Sequence, residues 1–336
     1  MENLNVSFVV IGLNAEKFLK GCITSIYAQK KYSSNWEIIY VDSSSSDKSV
    51  EIARSFRNVT IVHLDDEKPN AAKARNAGWR IAKHDLIQFL DADSYLKPDW
   101  ISTALAEISE GKILTGGLVE REPDKNYYHE MANLDWQQSL GNISGNKIKK
   151  VKSFGGNVLI PKKILKEVNG FNEELFAGED SDLSYRIREN GQPIFFIPKI
   201  MASHDIQTGC LKSYAKRVFR TGMVYTSLAL KYAGRKEKLY LREMARLYIN
   251  SLLLLSGLFT LMFTDQFILG LLVTAIPFRI FFRNTKKNQP LTVSVKYNFH
   301  LMLSFLIQFA GSLRFLFDSL HLTDSFSYYK NTKQVH

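Results

Sequence analysis

The first 90 residues predict an α/β fold with a mostly parallel sheet. Three observations lead there: apolar runs of four to six residues recur, amphipathic runs of about 10–15 residues separate them, and Ser, Asn or Asp stands at the junctions. A chain of 336 residues is long enough for one such domain of about 200 residues and an appendage of about 100. With 45% hydrophobic and 23% charged residues, extensive disorder is excluded.

Taken in order, strands are expected at 6–11, 37–41, 60–63 and 86–90, with helices near 16–29, 46–55 and 70–83 forming right-handed crossovers. A helix starting near Pro98 and a strand at 113–119 follow. The polar, aromatic stretch 121–152 then reads as a long irregular segment, a length that in a compact domain marks function. After the Gly155-Gly156 turn come a strand at 157–160, helices from Pro161 and across 180–189, and a strand at 194–201. The basic helix 212–231 is expected to close this domain, giving boundaries of 1–232 and 233–336.

The remaining 100 residues have a different character. Positions 247–264 carry no charge, 267–278 continue apolar after Asp265 and Gln266, and 297–313 form a third apolar block interrupted by His300 and Gln308. Basic residues flank them at Arg235, Lys236, Lys238, Arg242, Arg246, Arg279, Arg283, Lys286 and Lys287, and they supply much of the +11 net charge. Basic residues beside apolar stretches point to membrane lipids as partners and argue against nucleic acid. The N-terminus enters a strand at once, without a basic leader and apolar stretch, so the first domain is expected on the cytoplasmic side of the cell membrane. Cys22 and Cys210 are far apart in the chain and build neither a disulfide framework nor a zinc site.

The chemistry concentrates where strands end. Asp91-Ala92-Asp93 directly follows the strand at 86–90, where the carboxylates at i and i+2 share one side and suit a hard divalent cation carrying a diphosphate. Asp42 ends the second strand and opens a run of four serines before Asp47, room for a base or ribose to approach; Ser46 and Asp47 also suit helix caps. Arg75 precedes the strand ending in Asp91, to pair with Asp91 or with the donor. Glu179 and Asp180 follow a glycine bend at a helix start, which offers a base for an acceptor hydroxyl. His204 follows the strand at 194–201 and suits a metal shell.

In order along the chain stand Asn14 after the first strand, Val41-Asp42 with Asp47, Ala74-Arg75-Asn76-Ala77-Gly78, Asp91-Ala92-Asp93, Gly155-Gly156-Asn157, Gly170-Phe171-Asn172-Glu173 and Gly178-Glu179-Asp180. Over about residues 5–225 this set resembles the family 2 glycosyltransferases, membrane-associated and inverting, with the Rossmann-like GT-A fold. The resemblance implies Asn14, Asp42, Arg75 and Asp91 at the nucleotide-sugar donor, and Asp93, Asp91 and His204 at Mn2+ or Mg2+. It also implies Asp180 as catalytic base with Glu179 beside it. Ser43 and Ser44 depart from the acid and glycine common in the family, and Asn70 stands where a glycine often precedes the Ala-Arg-Asn segment.

The expected reaction is transfer from a nucleotide-sugar, a UDP-sugar first, to a hydroxyl of a lipid-linked or cell-surface glycan. The alternative is a membrane-tethered nucleotide-sugar-binding protein without catalysis. A nucleotidyltransferase would show a Gly-rich basic loop where this chain has Gly12-Leu13-Asn14-Ala15-Glu16-Lys17, and no GxxxxGK[ST] occurs.

Overall fold

A computed structural model describes residues 5–29, 35–66, 68–108, 112–141, 147–282 and 290–320. Arg283, Lys286 and Lys287 lie outside them. The chain divides into two units: residues 1–125 with 135–206, and residues 126–134 with 207–336.

The first unit opens with β1 (Val6–Gly12), α1 (Glu16–Tyr27), β2 (Trp36–Asp42), α2 (Ser49–Arg54), β3 (Val59–His63), α3 (Ala71–Ile81) and β4 (Leu86–Asp91). These follow the expected alternation to within a few residues at each end. β1 pairs in parallel with both β2 and β4, and β2 with β3. All seven residues of β1 are buried or nearly so, as a strand covered on both faces requires. One apolar cluster, with Phe8, Leu19, Ile23 and Trp100, packs below the sheet, and another, with Val9, Phe89, Trp79 and Phe171, above it.

The second half adds β5 (Ser94–Leu96), α4 (Trp100–Glu107), β6 (Ile113–Glu120), β7 (Lys149–Val151), β8 (Val158–Pro161), α6 (Lys162–Glu167), α7 (Glu179–Glu189) and β9 (Ile194–His204). The sheet order is β3-β2-β1-β4-β8-β6-β9-β5, with β7 on β9. β8 runs antiparallel to both β4 and β6, and β5 and β7 run antiparallel to β9. The parallel character therefore belongs to the N-terminal half and the β6–β9 pair. In place of the irregular segment expected over 121–152 stand a helix, α5 (Tyr127–Gly141), and β7. The helix escapes sequence reading because its apolar residues follow no 3.6-residue period.

The second unit contains the first turns of α5 together with α8 (Leu211–Lys231), α9 (Leu241–Phe263), α10 (Phe267–Phe282) and α11 (Leu291–Leu320). Its boundary differs from that expected at 232/233, because α8 belongs with the C-terminal helices. Gly222 of α8 lies against the backbone of Gln308 and Gly311 of α11 against that of Phe219; a Cβ on either glycine would stand 1.9 or 2.0 Å from a carbonyl oxygen. At this crossing Thr226 Oγ1 is 2.6 Å from Ser312 Oγ, which is 2.8 Å from the Tyr248 hydroxyl of α9. Segments Leu241–Phe263 and Leu291–Ser319 are long and apolar enough to cross a membrane. The outward side chains of α9 and α10 include Ile249, Leu252, Phe259, Met262, Ile268 and Leu272, all more than half exposed.

Replacing Gly311 by Leu is expected to split the α8/α11 crossing, since no rotamer relieves a Cβ placed on a backbone oxygen. The measurable result is a lower unfolding midpoint in detergent, while Ala310→Leu, at an exposed neighbouring position, leaves the midpoint within the ordinary range of surface changes, about ±0.5 kcal/mol.

Candidate active site at the carboxyl ends of the strands

β1, β2 and β4 end together. Gly12 is registered against Asp42, and Ile11 against Asp91, so both carboxylates stand at the edge where the strand order reverses, the place where open α/β sheets bind ligands. Asp42 is buried and accepts from the Tyr40 hydroxyl (3.1 Å) and the Ser45 amide (3.0 Å). Burial beside that carboxylate pushes the Tyr40 phenol well above its usual range.

The serine run is a latch. Asn14, in the left-handed region at φ 51°, donates its amide to Ser45 Oγ (2.8 Å) and accepts from the Ser46 amide (2.9 Å). Ala15 donates to Ser49 Oγ (2.8 Å), and Glu16 to Asp47 Oδ2 (2.9 Å). The turns after β1 and β2 are thus one rigid surface, with Asn14 and Asp42 on it. Ser44, at the position where glycine is common, takes φ 66° and donates to the Leu64 carbonyl (3.0 Å).

On the other side of β1, the carboxylates of Asp91 and Asp93 and the His204 imidazole offer one ligand atom each, all within 4.8 Å of one another. β5 pairs antiparallel with β9, placing Ser94 opposite His204 and bringing the end of β9 to the Asp-rich turn. His204 Nδ1 lies 2.9 Å from Ser94 Oγ and 3.2 Å from Asp93 Oδ1. Asn157 Nδ2 donates to Ser94 Oγ (3.1 Å), and its Oδ1 accepts from the Asp91 amide (3.3 Å). Two carboxylates and one imidazole form a hard, oxygen-rich set that fits Mn2+ or Mg2+ and disfavours a soft-metal site. Ser94 has no sequence signal as an orienting group, because a short antiparallel strand gives no periodicity, and Asn157 is visible only as a member of the Gly-Gly-Asn motif.

Arg75 makes the first of the two pairings expected from the sequence, that with Asp91. It is buried in the middle of α3 and donates to both Asp91 Oδ1 (2.8 Å) and Glu179 Oε1 (2.6 Å), with its guanidinium over the Phe171 ring. It thereby joins the end of β4 to the start of α7. Gly156 is what makes room: a Cβ there would stand 2.4 Å from Asp91 Oδ2 and 2.6 Å from Arg75 Nη2.

Gly178, in the left-handed region at φ 80°, turns the chain into α7 and brings Asp180 beside this bridge. Burial, reinforced by the negative charge of Glu179, pushes the Asp180 carboxyl up to about 7, against the opposing pull of Arg75. Glu179 faces Arg75, whereas Asp180 accepts from the Ser181 amide (2.7 Å).

The loop before α7 is tied to α3 by two asparagines. Asn76 Oδ1 accepts from the Phe171 amide and Trp79 Nε1, and its Nδ2 donates to the Phe171 carbonyl and Glu173. Asn70 caps α3 by accepting from the Lys73 amide (2.9 Å) and donates to the Glu173 carbonyl (2.8 Å). The asparagine that departs from the family pattern thus does work a glycine cannot. Of the two cysteines, Cys22 is buried under the Asp91 carbonyl (3.8 Å), its thiol raised by burial, and Cys210 is exposed ahead of α8.

The family model described as glycosyl transferase family 2 matches residues 7–168, and one described as the N-terminal domain of galactosyltransferase matches residues 143–208. Glycosyltransferase AglE of Haloferax volcanii is 26% identical over 227 residues, covering 65% of this chain and 71% of AglE. Two further curated relatives are matched over only 25% and 31% of their own lengths. Among solved structures, the fold is shared with the mannosyltransferase PcManGT from Pyrobaculum calidifontis in complex with GDP-Man and Mn2+ (TM-score 0.61, 16% identity, 93% of this chain and 87% of that one). S. aureus TarS 1–349 in complex with UDP-GlcNAc is similar at a TM-score of 0.52 and 16% identity, covering 95% and 92%.

Gly156→Ala is expected to displace the Asp91 carboxylate or Arg75, since both lie inside the volume of the new methyl. The checks are calorimetry, with Mn2+ affinity at least tenfold weaker, and thermal unfolding, with a loss of about 1–3 kcal/mol, the usual cost of overpacking.

Proposed function

Residues 7–168 form a family 2 glycosyltransferase domain, and on that premise we propose an inverting, metal-dependent enzyme that moves a sugar from a UDP-sugar to a hydroxyl of a lipid-linked or cell-surface glycan. The observation that carries the reading is the Asp91, Asp93 and His204 set at the strand ends, with Asp180, its carboxyl raised towards neutrality, beside the Arg75 bridge. GDP-Man with Mn2+ in PcManGT and UDP-GlcNAc in TarS support a nucleotide-sugar and a divalent metal here.

Asp42 and Asn14 line the surface proposed for the base and ribose, the former by its buried carboxylate. Mn2+ or Mg2+, held by Asp93, Asp91 and His204, would neutralise the leaving diphosphate. Asp180 accepts the proton of the acceptor hydroxyl as that oxygen forms its bond to the anomeric carbon. The bond to the diphosphate breaks with its electron pair leaving on the nucleotide, and one displacement inverts the centre. Glu179 positions rather than reacts, by holding Arg75. The exposed apolar helices α9 and α10, with basic residues ahead of them, support placement at the cell membrane with the catalytic domain on its cytoplasmic side.

Asp93→Asn removes one charged metal ligand. Calorimetry is expected to show weaker Mn2+ and UDP binding together; unchanged affinity for both would overturn the metal assignment.

Asp180→Asn removes the base, with transfer falling about 10²–10⁴-fold while donor affinity stays. Stability moves oppositely. A carboxyl raised from 3.8 to about 7 in the folded state binds its proton more tightly folded than unfolded, so it lowers stability as pH climbs from about 4 to 7 and costs most above 7. Asp180→Asn is therefore expected to melt higher than the parent at pH 8, by up to ~4 kcal/mol, and equally at pH 4. Glu179→Gln deletes the charge that raises Asp180, so the acidic limb of its pH–rate profile should move to lower pH. A variant at Asp180 that melts early and transfers at the normal rate sinks the assignment.

A further inference from the structure

Between Leu211 and Arg246 the chain carries ten Lys and Arg against only Glu237 and Glu243, a surplus of eight out of the whole chain's eleven. This charge lies entirely in the second unit and ends where the apolar stretch of α9 begins.

α8 sorts these charges onto one side. Lys212, Lys216 and Arg220, spaced by four, are exposed, while Tyr214, Val218 and Gly222, two positions on and hence on the opposite face, are buried. The buried face lies along α11 with the two helices running in the same direction: Tyr214 meets His300 (3.2 Å) and Thr226 meets Ser312 (2.6 Å), both pairs 86 residues apart.

α9 fixes the level of this pair. Arg246 is its last charge, and Ile249 begins its exposed apolar face. Tyr248, between them, stands where an amphipathic ring marks the boundary of water and hydrocarbon. Its hydroxyl bonds Ser312 (2.8 Å) and its ring packs on Phe309 (5.0 Å). The Thr226/Ser312 end of the α8/α11 pair thus sits at that boundary, with the basic stripe of α8 on the side away from α11.

We propose that α8 is an interfacial helix whose basic stripe, Lys212, Lys216, Arg217 and Arg220, continued by Arg242 and Arg246, takes anionic phospholipid headgroups. This rests on the membrane placement proposed above and adds a lipid preference. Each cation near an anionic surface contributes an attraction that salt screens within a Debye length of about 10 Å at 0.1 M. It follows that the preference is graded with charge and vanishes at high ionic strength.

The test uses the full chain in neutral detergent micelles, titrated with phosphatidylglycerol or phosphatidylcholine while the unfolding midpoint is read. Phosphatidylglycerol is expected to raise the midpoint more than phosphatidylcholine does, and 0.5 M NaCl to abolish the difference. Lys212→Gln/Lys216→Gln/Arg220→Gln should raise the half-saturating phosphatidylglycerol fraction about tenfold or more. Equal responses to the two lipids, or a preference that survives both salt and the substitutions, overturn the proposal; the salt arm needs no variant and so does not depend on the variant folding. Reproduction of the shift by inorganic phosphate or polyphosphate also overturns it, since a free anion would then suffice. Failure of the membrane placement itself has a separate sign, full-length chain in the aqueous fraction without detergent.

Discussion

Arg75 is the constraint on which the first unit depends. A buried guanidinium is tolerated only when its charge is matched, and removing one partner of such a set costs several kcal/mol because the remainder stays buried and uncompensated. Asp91 and Glu179 supply the match from two elements distant in sequence, β4 and α7. The loop between β7 and β8 must pass without a side chain, hence Gly156. The loop ahead of α7 must be held against α3, hence Asn70 and Asn76. The end of β4 and the start of α7 are therefore fixed to each other through one side chain.

Asp180 follows from the same bridge. Arg75 has its two terminal nitrogens on Asp91 and Glu179, so Asp180 receives only part of its field, while burial and Glu179 oppose its ionisation. A base with ordinary carboxylate acidity would be a poor proton acceptor for a hydroxyl; burial moves it towards neutral pH. The cost appears as lowered stability at the pH where the enzyme would work, the usual trade between a reactive site and a relaxed one.

How much of this was legible in the sequence depended on periodicity. β1 to β4 and α1 to α3 could be placed because apolar runs and amphipathic runs alternate, and Asp91 and Asp93 could be singled out because they follow a buried strand. Arg75 was visible as a residue on a helix, but its two partners lie 16 and 104 positions away, a convergence no local pattern encodes. Ser94 and β5 were illegible for the same reason, since pairing with β9 brings them to the site. Asn70 read as a departure from a pattern, although N-cap chemistry at the start of an apolar helix was there to be recognised. α8 is expected from the sequence to close the first unit; its charges describe only its outer face, and the Gly222 and Thr226 face that lies against α11 looks unremarkable in one dimension.

The two units differ in what their outer faces carry, and that contrast bears on the character proposed for the second. In the first, the large apolar side chains gather in the clusters on the two faces of the sheet. In the second, Thr226, Ser251, Asn298, Ser304 and Ser312 are buried while Ile249, Leu252, Phe259, Met262, Ile268, Leu272 and Phe299 face outward. Water would drive those outward side chains inside at about 25 cal/mol per Å², so a helical unit of this pattern is ill-suited to an aqueous surround. In lipid the apolar face costs nothing, and association must come from close backbone approach and interhelical hydrogen bonds. Gly222 and Gly311 provide the first, and the Thr226, Ser312 and Tyr248 hydroxyls the second. The same three hydroxyls stand at the level where charge on α9 ends, so the contact that holds these helices together lies at the change from charged to apolar sequence.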